Sequence, residues 1–295
     1  MAYGLQSISN KTGNFAYTAG MDDYSVNIGS TQQVDLRIFC DFSTNTVLSS
    51  TSPCATGTIY GTSANGGSNT LNASADRDLF GAVACFGVIR LSTGTTNNSS
   101  GYSGFTTAAI LPGFFTPSSG FTTKYEIEAR VRTDSTIFTT ALPGLIKIGF
   151  ASTMINTAPN DGIYFEWNQP SAGGDTTWNI TYYNDGATVR VNTGVAYAAS
   201  KTYSMYLSVS KDSSGNYTTE YRIVNSTDST DTGLQTASPS GGNAAYPSDT
   251  ADTMVAGAVI SKQTTTTTTA RGVLFDYFFS KVQMPLTRSY MNLFS

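Results

Sequence analysis

The sequence predicts an all-β fold: a two-sheet antiparallel sandwich behind an extended N-terminal arm. Three observations carry this. Tyr125-Glu126-Ile127-Glu128-Ala129-Arg130-Val131-Arg132 puts apolar residues at odd positions and charges at even ones. Successive strand side chains point to opposite faces, so this segment has one buried and one wet face. Half-wet strands belong to antiparallel sheets rather than to parallel sheets wrapped in helices. Second, no stretch shows a 3.6-residue apolar period, and there is no fixed-period repeat. Third, 295 residues with 39% hydrophobic content suffice for one large sandwich core.

Met1 to about Ser30 is rich in Gly, Ser and Asn and reads as an arm, leaving 31–290 as the domain. Val34 to Cys40 is the first strand expected. Ser43 to Ser74 reads as long loops, with a short strand near Thr58-Ile59-Tyr60. Ala82 to Leu91 and Phe105 to Ile110 are strands, the latter broken by Leu111-Pro112-Gly113. Leu145 to Phe150 is mostly apolar and so central. In Gly162 to Asn168, Ile163, Phe165 and Trp167 fall on the buried side. Trp178 to Tyr183 runs into Asn184-Asp185-Gly186, a turn suited to positive φ, with a return strand at Thr188 to Val191. Tyr203 to Ser210 and Tyr217 to Val224 form a hairpin around Lys211 to Asn216. Asn225 to Asp252 is a long functional loop or crossover. Met254 to Ser261 and Val273 to Val282 complete the fold, with Val273, Phe275, Tyr277 and Phe279 expected on one face. The threonine run Thr264 to Thr269 suits a strand edge.

Charged residues are only 12% of the chain, about half the usual share, and Ser, Thr, Asn and Gly replace them. Such a composition suits extracellular and virion β-proteins. Net charge is -4 without a basic tract, which argues against nucleic-acid binding. No apolar run spans a bilayer, and no secretory signal is seen, so no membrane association is expected. Cys40, Cys54 and Cys85 match no zinc spacing, and no metal or other cofactor is expected. The chain has no histidine, which removes Ser-His-Asp and Cys-His chemistry.

Several segments, in order, carry a resemblance. Gly87-Val88-Ile89-Arg90-Leu91-Ser92-Thr93-Gly94-Thr95 is similar to a "G-v-l-r-l-s-T-G-T" segment. Ile148-Gly149-Phe150 with Asp161 to Glu166 resembles "i-G-f … D-G-i-Y-F-e-y". Trp178, Thr193-Gly194-Val195 and Lys201-Thr202-Tyr203 resemble "W … d-T-G-V … w-Y". Lys262, Thr269-Ala270-Arg271 and Leu274 to Tyr277 resemble "K … t-A-R … l-x-v-D-Y". These are segments of concanavalin A-like jelly-roll domains in bacteriophage structural proteins, and the resemblance covers roughly Phe39 to Val282. It implies a jelly-roll topology and a place in capsid decoration, head fibres or tail fibres.

Two sets of outward residues are candidate sites. Glu126, Glu128, Arg130 and Arg132 share one strand face. Residues two apart on a strand lie about 6.6–6.8 Å apart, close to the roughly 5–5.5 Å of a retaining glycosidase pair. Jelly-roll glucanases, however, place a third acid further along that face. Arginines stand there instead and are expected to hold both carboxylates ionised, which a general acid does not allow. A ladder of cross-strand charges is the simpler reading. The second set is Tyr164, Glu166, Asn168, Asn179, Thr181 and Tyr183, sharing a face with the first if their strands are neighbours. It reads as a glycan groove or, preferably, as a polar outer face or subunit interface. Asp161 and Asp276 are weak calcium candidates. Turn chemistry explains the first, and a backbone or Arg271 partner is expected for the second.

The expected function is non-enzymatic: a capsid decoration (cement) protein on the virion surface. Its expected partners are the major capsid protein or other virion proteins and its own copies as a homotrimer. The alternative is a fibre module gripping host surface polysaccharide; a jelly-roll glycoside hydrolase is the third reading.

Overall fold

The computed structural model describes residues 13–19, 22–28, 33–40, 48–49, 60–65, 67–71, 88–95, 102–107, 123–155, 159, 161–170, 173–247, 254–263 and 269–285, with β1 to β5 described by backbone pairing alone. The early strands are β1 Gly13–Ala19, β2 Asp22–Ile28, β3 Gln33–Cys40, β4 Leu48–Ser49, β5 Tyr60–Asn65, β6 Ser68–Leu71, β7 Ile89–Ser92 and β8 Tyr102–Thr107. The long central ones are β9 Thr123–Thr133, β10 Gly144–Ala151, β11 Asp161–Gln169, β12 Thr177–Asn184, β13 Ala187–Ala196, β14 Thr202–Lys211 and β15 Tyr217–Asn225. β16 Thr230–Asp231, β17 Gln235–Ala237, β18 Val255–Lys262 and β19 Gly272–Pro285 complete the set. A single 3-10 turn at Gly242–Ala245 is the one helical element among the described residues.

Two sheets form. The first runs β1-β2-β3-β19-β9-β14-β15-β16, with β17 on β15 and with β7, carrying β6, on β19. The second runs β13-β12-β11-β10-β18-β8-β5-β4. All pairings are antiparallel except β4 with β5. A five-residue loop, Asp212 to Asn216, joins β14 to β15 as a hairpin, whereas β9 reaches β19 across more than a hundred residues. The stretch expected as an arm therefore contains a hairpin, β1–β2, that extends the first sheet through β3. Its signal was present as the alternation Phe15, Tyr17 and Tyr24, Val26, Ile28.

The alternation predicts the inner faces well. Tyr125, Ile127, Ala129 and Val131 of β9 meet Ile163, Phe165 and Trp167 of β11 in one core. Burying side chains of this size contributes about 1.5–3 kcal/mol each. Phe105 packs edge-on against Phe275 and Phe278, at 5.1 and 5.2 Å between ring centroids. Trp167 stacks on Tyr197 at 4.0 Å, and Trp178 meets the same ring edge-on. Both tryptophans are core, as their positions in the alternation predict.

One expectation fails in β19. Its register against β9 shifts between Phe275 and Tyr277, leaving Asp276 as an extra residue. A bulge of one residue inverts every later side chain. Val273 and Phe275 face the core before it; Phe278 and Val282 do so after it. Tyr277 and Phe279 consequently lie on the outer face. The long loop after β15 is also more structured than expected, holding β16, β17 and the 3-10 turn. The β12–β13 turn is as predicted: Asp185 and Gly186 both have positive φ, at 44° and 85°, as a tight two-residue hairpin requires.

Candidate functional site

The two candidate sets do not share a face. β9 belongs to the first sheet and β11 and β12 to the second, so their outward residues lie on opposite sides of the sandwich. Periodicity along a strand says nothing about which sheet it joins, because that pairing is non-local.

On the first sheet, β9 is flanked by β14 and β19, with Glu126 opposite Ser208 and Lys281, and Glu128 opposite Tyr206 and Phe279. Glu126 accepts a bond from the Tyr206 hydroxyl at 2.8 Å and pairs with Lys124 at 2.8 Å and Lys281 at 3.2 Å. Burial alone would raise its pKa. The bonds from Lys124 and Tyr206 and the charge of Lys281 outweigh that and hold its carboxyl below the usual range. The arginines have other partners. Arg130 binds Asp276 at 3.0 Å, and Arg132 donates to the Thr202 hydroxyl at 3.0 Å. Lysines rather than arginines thus ionise Glu126, and Asp276 is held by Arg130 rather than Arg271, which instead donates to the carbonyls of Ile137 and Ala270. Glu128 accepts a bond from the Tyr277 hydroxyl at 2.5 Å, which the bulge at Asp276 makes possible. Burial, and then this bond, raise the Tyr277 pKa.

Beside these residues is a groove of about 410 Å³, walled by Tyr206, Leu234 and Val224 and edged by Glu128, Ser204 and Arg222. Arg222 is clamped by Asp231 through two bonds, of 2.9 and 2.5 Å. Leu234, 58% exposed, is the one large hydrophobic side chain exposed among the described residues. Sequence reasoning missed Tyr206, Tyr277, Arg222 and Leu234. Tyr206 was findable: it is the aromatic at the outward phase of Tyr203 to Ser210, between Ser204 and Ser208.

On the second sheet, Tyr164, Glu166, Asn179 and Thr181 do gather on one outer face, with Glu166 opposite Asn179 and Tyr164 opposite Thr181. They are not available to a ligand. All four are buried, at 2%, 7%, 6% and 1% exposure respectively. Asn168 and Tyr183 are half-buried. Three further residues complete the cluster. Lys147 of β10 is opposite Glu166 and is 3% exposed. Arg190 of β13 lies 3.4 Å from Glu166 and donates to Asp175. Asp175 also accepts a bond from the Asn168 backbone N–H at 2.8 Å. Burial pulls the Lys147 pKa down to about 8, against an upward pull from Glu166. Burial likewise pushes the Tyr164 hydroxyl up.

Asp161 is buried at the start of β11, where its N–H donates to the Ser152 hydroxyl. Among the described residues no group of three His, Cys, Asp or Glu side chains is placed to hold a metal. Cys54 and Cys85 lie outside the described residues, so the cysteine reading stays an expectation. No helix among the described residues is long and apolar enough to cross a membrane.

Comparison with known proteins bears on the fold. No family model matches the chain, and no curated protein does. Among solved structures, a protein of unknown function from Shewanella oneidensis MR-1 is 14% identical over 97% of this chain and 92% of its own, with a TM-score of 0.54. The carbohydrate recognition domain of Emp47p is 11% identical over 90% of this chain and 98% of its own, with a TM-score of 0.44. The CBM2 module of the evolved Dit of Lactobacillus casei BL23 phage J-1 is 11% identical over 85% and 96%, with a TM-score of 0.42. At these identities the likeness is one of fold alone: an all-β sandwich of two antiparallel sheets.

Proposed function

We propose that this protein is a non-enzymatic binding module on the surface of a bacteriophage particle, where it decorates the capsid shell. The observation that carries the contact reading is the charge state of the first sheet's outer face. Glu126 is locked as a carboxylate by two lysines and a tyrosine, so it does not serve as the proton donor that glycoside cleavage needs. What remains is a surface bearing Tyr206, Tyr277 and Arg222, residue types enriched at the centres of protein contacts. The placement on a virion is supported by the ordered resemblance from Gly87 to Tyr277. The test is co-sedimentation with capsid shells assembled without this chain. Saturable binding, weakened at least about tenfold by Tyr206→Ala (about 1.4 kcal/mol), is expected. Absence of binding to intact shells overturns decoration.

A second reading has its own support in the groove beside Tyr206. An aromatic ring, an apolar wall at Leu234, and hydrogen-bonding groups on Glu128, Ser204 and Arg222 converge there. A sugar ring offers C–H faces and hydroxyls to such a set. A glycan array separates the two: binding to host-type polysaccharide that is lost in Tyr206→Ala, without shell binding, favours a fibre module. Reducing-sugar release that is lost in Glu126→Gln would return the chain to the hydrolases.

A further inference from the structure

The geometry points to β13 as a self-association edge, through which two copies join their second sheets about a two-fold axis. β13 ends the second sheet, and among the described residues no strand pairs with its outer side. The tight turn at Asp185-Gly186 makes Asn184 and Ala187 the hydrogen-bonded pair that closes the hairpin. Bonding then alternates along an antiparallel ladder. Ala187, Val189 and Val191 bond inward to β12, and Thr188, Arg190 and Asn192 turn their N–H and C=O groups out to solvent. All three outward residues are exposed.

Native edges of this length are normally blunted by proline, lysine or a bulge. Ala187–Ala196 has neither proline nor lysine. Its bulge lies at the far end, where Gly194 has a φ of 75° and its N–H bonds to the Asn192 side chain at 2.6 Å. Arg190 does not guard the edge either, because its guanidinium is folded onto Asp175 and Glu166.

The pattern of β13 complements itself. An antiparallel copy with Val191 on the axis sets Arg190 against Asn192 of the second copy, in hydrogen-bonding positions, and Val191 against Val191. The register that sets Arg190 against its own copy is disfavoured by like charge. The inward valines, Val189, Val191 and Val195, are partly buried against the main core, and a second copy would finish covering them. The implied symmetry is two-fold rather than that of the homotrimer expected from the sequence. The inference does not depend on where the protein acts.

Sedimentation velocity of the full chain tests it, with dimer expected at tens of micromolar, about a typical affinity for a small interface. Asn192→Pro deletes one outward N–H per copy and is expected to raise the dimer Kd at least about tenfold. Asn192→Ala removes the same side chain but keeps that N–H, and is expected to stay dimeric. Val191→Cys is expected to yield a disulfide-linked dimer under mild oxidation that the parent chain does not form, because directly opposed strand residues fall within disulfide reach. A wild-type chain that stays monomeric at about 100 µM overturns the inference. So does a dimer that Asn192→Pro leaves intact, or one that Val191→Cys fails to cross-link.

Discussion

Lys147→Met is expected to stabilise the fold at neutral pH. Lys147 is 3% exposed, and burial lowers its pKa from 10.5 to about 8 despite Glu166 opposite. A shift of that size, at 1.36 kcal/mol per unit, means that carrying the charge costs the folded state about 3 kcal/mol below pH 8. The unfolded chain keeps the proton up to pH 10.5, and the folded chain releases it near 8. Between those values the unfolded state holds more protons, so stability rises with pH. Methionine has a similar volume and no charge, and Glu166 keeps Arg190 at 3.4 Å. Urea unfolding at pH 7, 8, 9 and 9.5 reads the difference. The variant is expected to be about 2–3 kcal/mol more stable at pH 7, with the gap closing as pH rises. The range stops below pH 10 because Tyr164, raised by burial, reverses the slope above it. A variant less stable than wild type at pH 7, or a gap independent of pH, refutes the reasoning.

Glu126→Gln acts at the acid end. The wild-type carboxyl sits below its usual range, so its contribution is present above pH 4.5 and lost as pH falls through the lower folded value; the variant should show a shallower loss of stability in acid melts. Gly149→Ala places a methyl 2.5 Å from the Tyr164 Cα, which is backbone and cannot step aside; a loss of about 1–3 kcal/mol in urea unfolding is expected. Phe275→Ala empties a fully buried site against Phe105 and should cost about 3–5 kcal/mol by the same measurement.

The inner faces were legible because one signal, alternation, is local and strong. It placed Ile127, Ile163, Phe165 and Trp167 in the core without knowledge of any partner strand. The failures have different causes. The bulge at Asp276 was hidden because Val273, Phe275, Tyr277 and Phe279 remain in perfect phase on paper, and the neighbours Leu274 and Phe278 are apolar as well. The shared face expected for Glu126 and Tyr164 failed because strand order is set by contacts far apart in sequence. Burial of Glu166 and Thr181 was unreadable for a related reason: polar type predicts an outward direction, not access to water. The hairpin β1–β2 was overlooked because glycine, serine and asparagine outweighed a short run of alternating aromatics.

The irregularity at Asp276 divides β19 into two segments with opposite phase. Deleting that one residue would restore an unbroken alternation, with Phe275, Phe278 and Val282 still facing the core and Tyr277 and Lys281 still facing out, whereas a deletion elsewhere in β19 would turn one segment inside out. Relatives can therefore lose one residue between Phe275 and Phe278 and keep both inner faces, and an alignment that scores only matching letters will misplace the gap at this point.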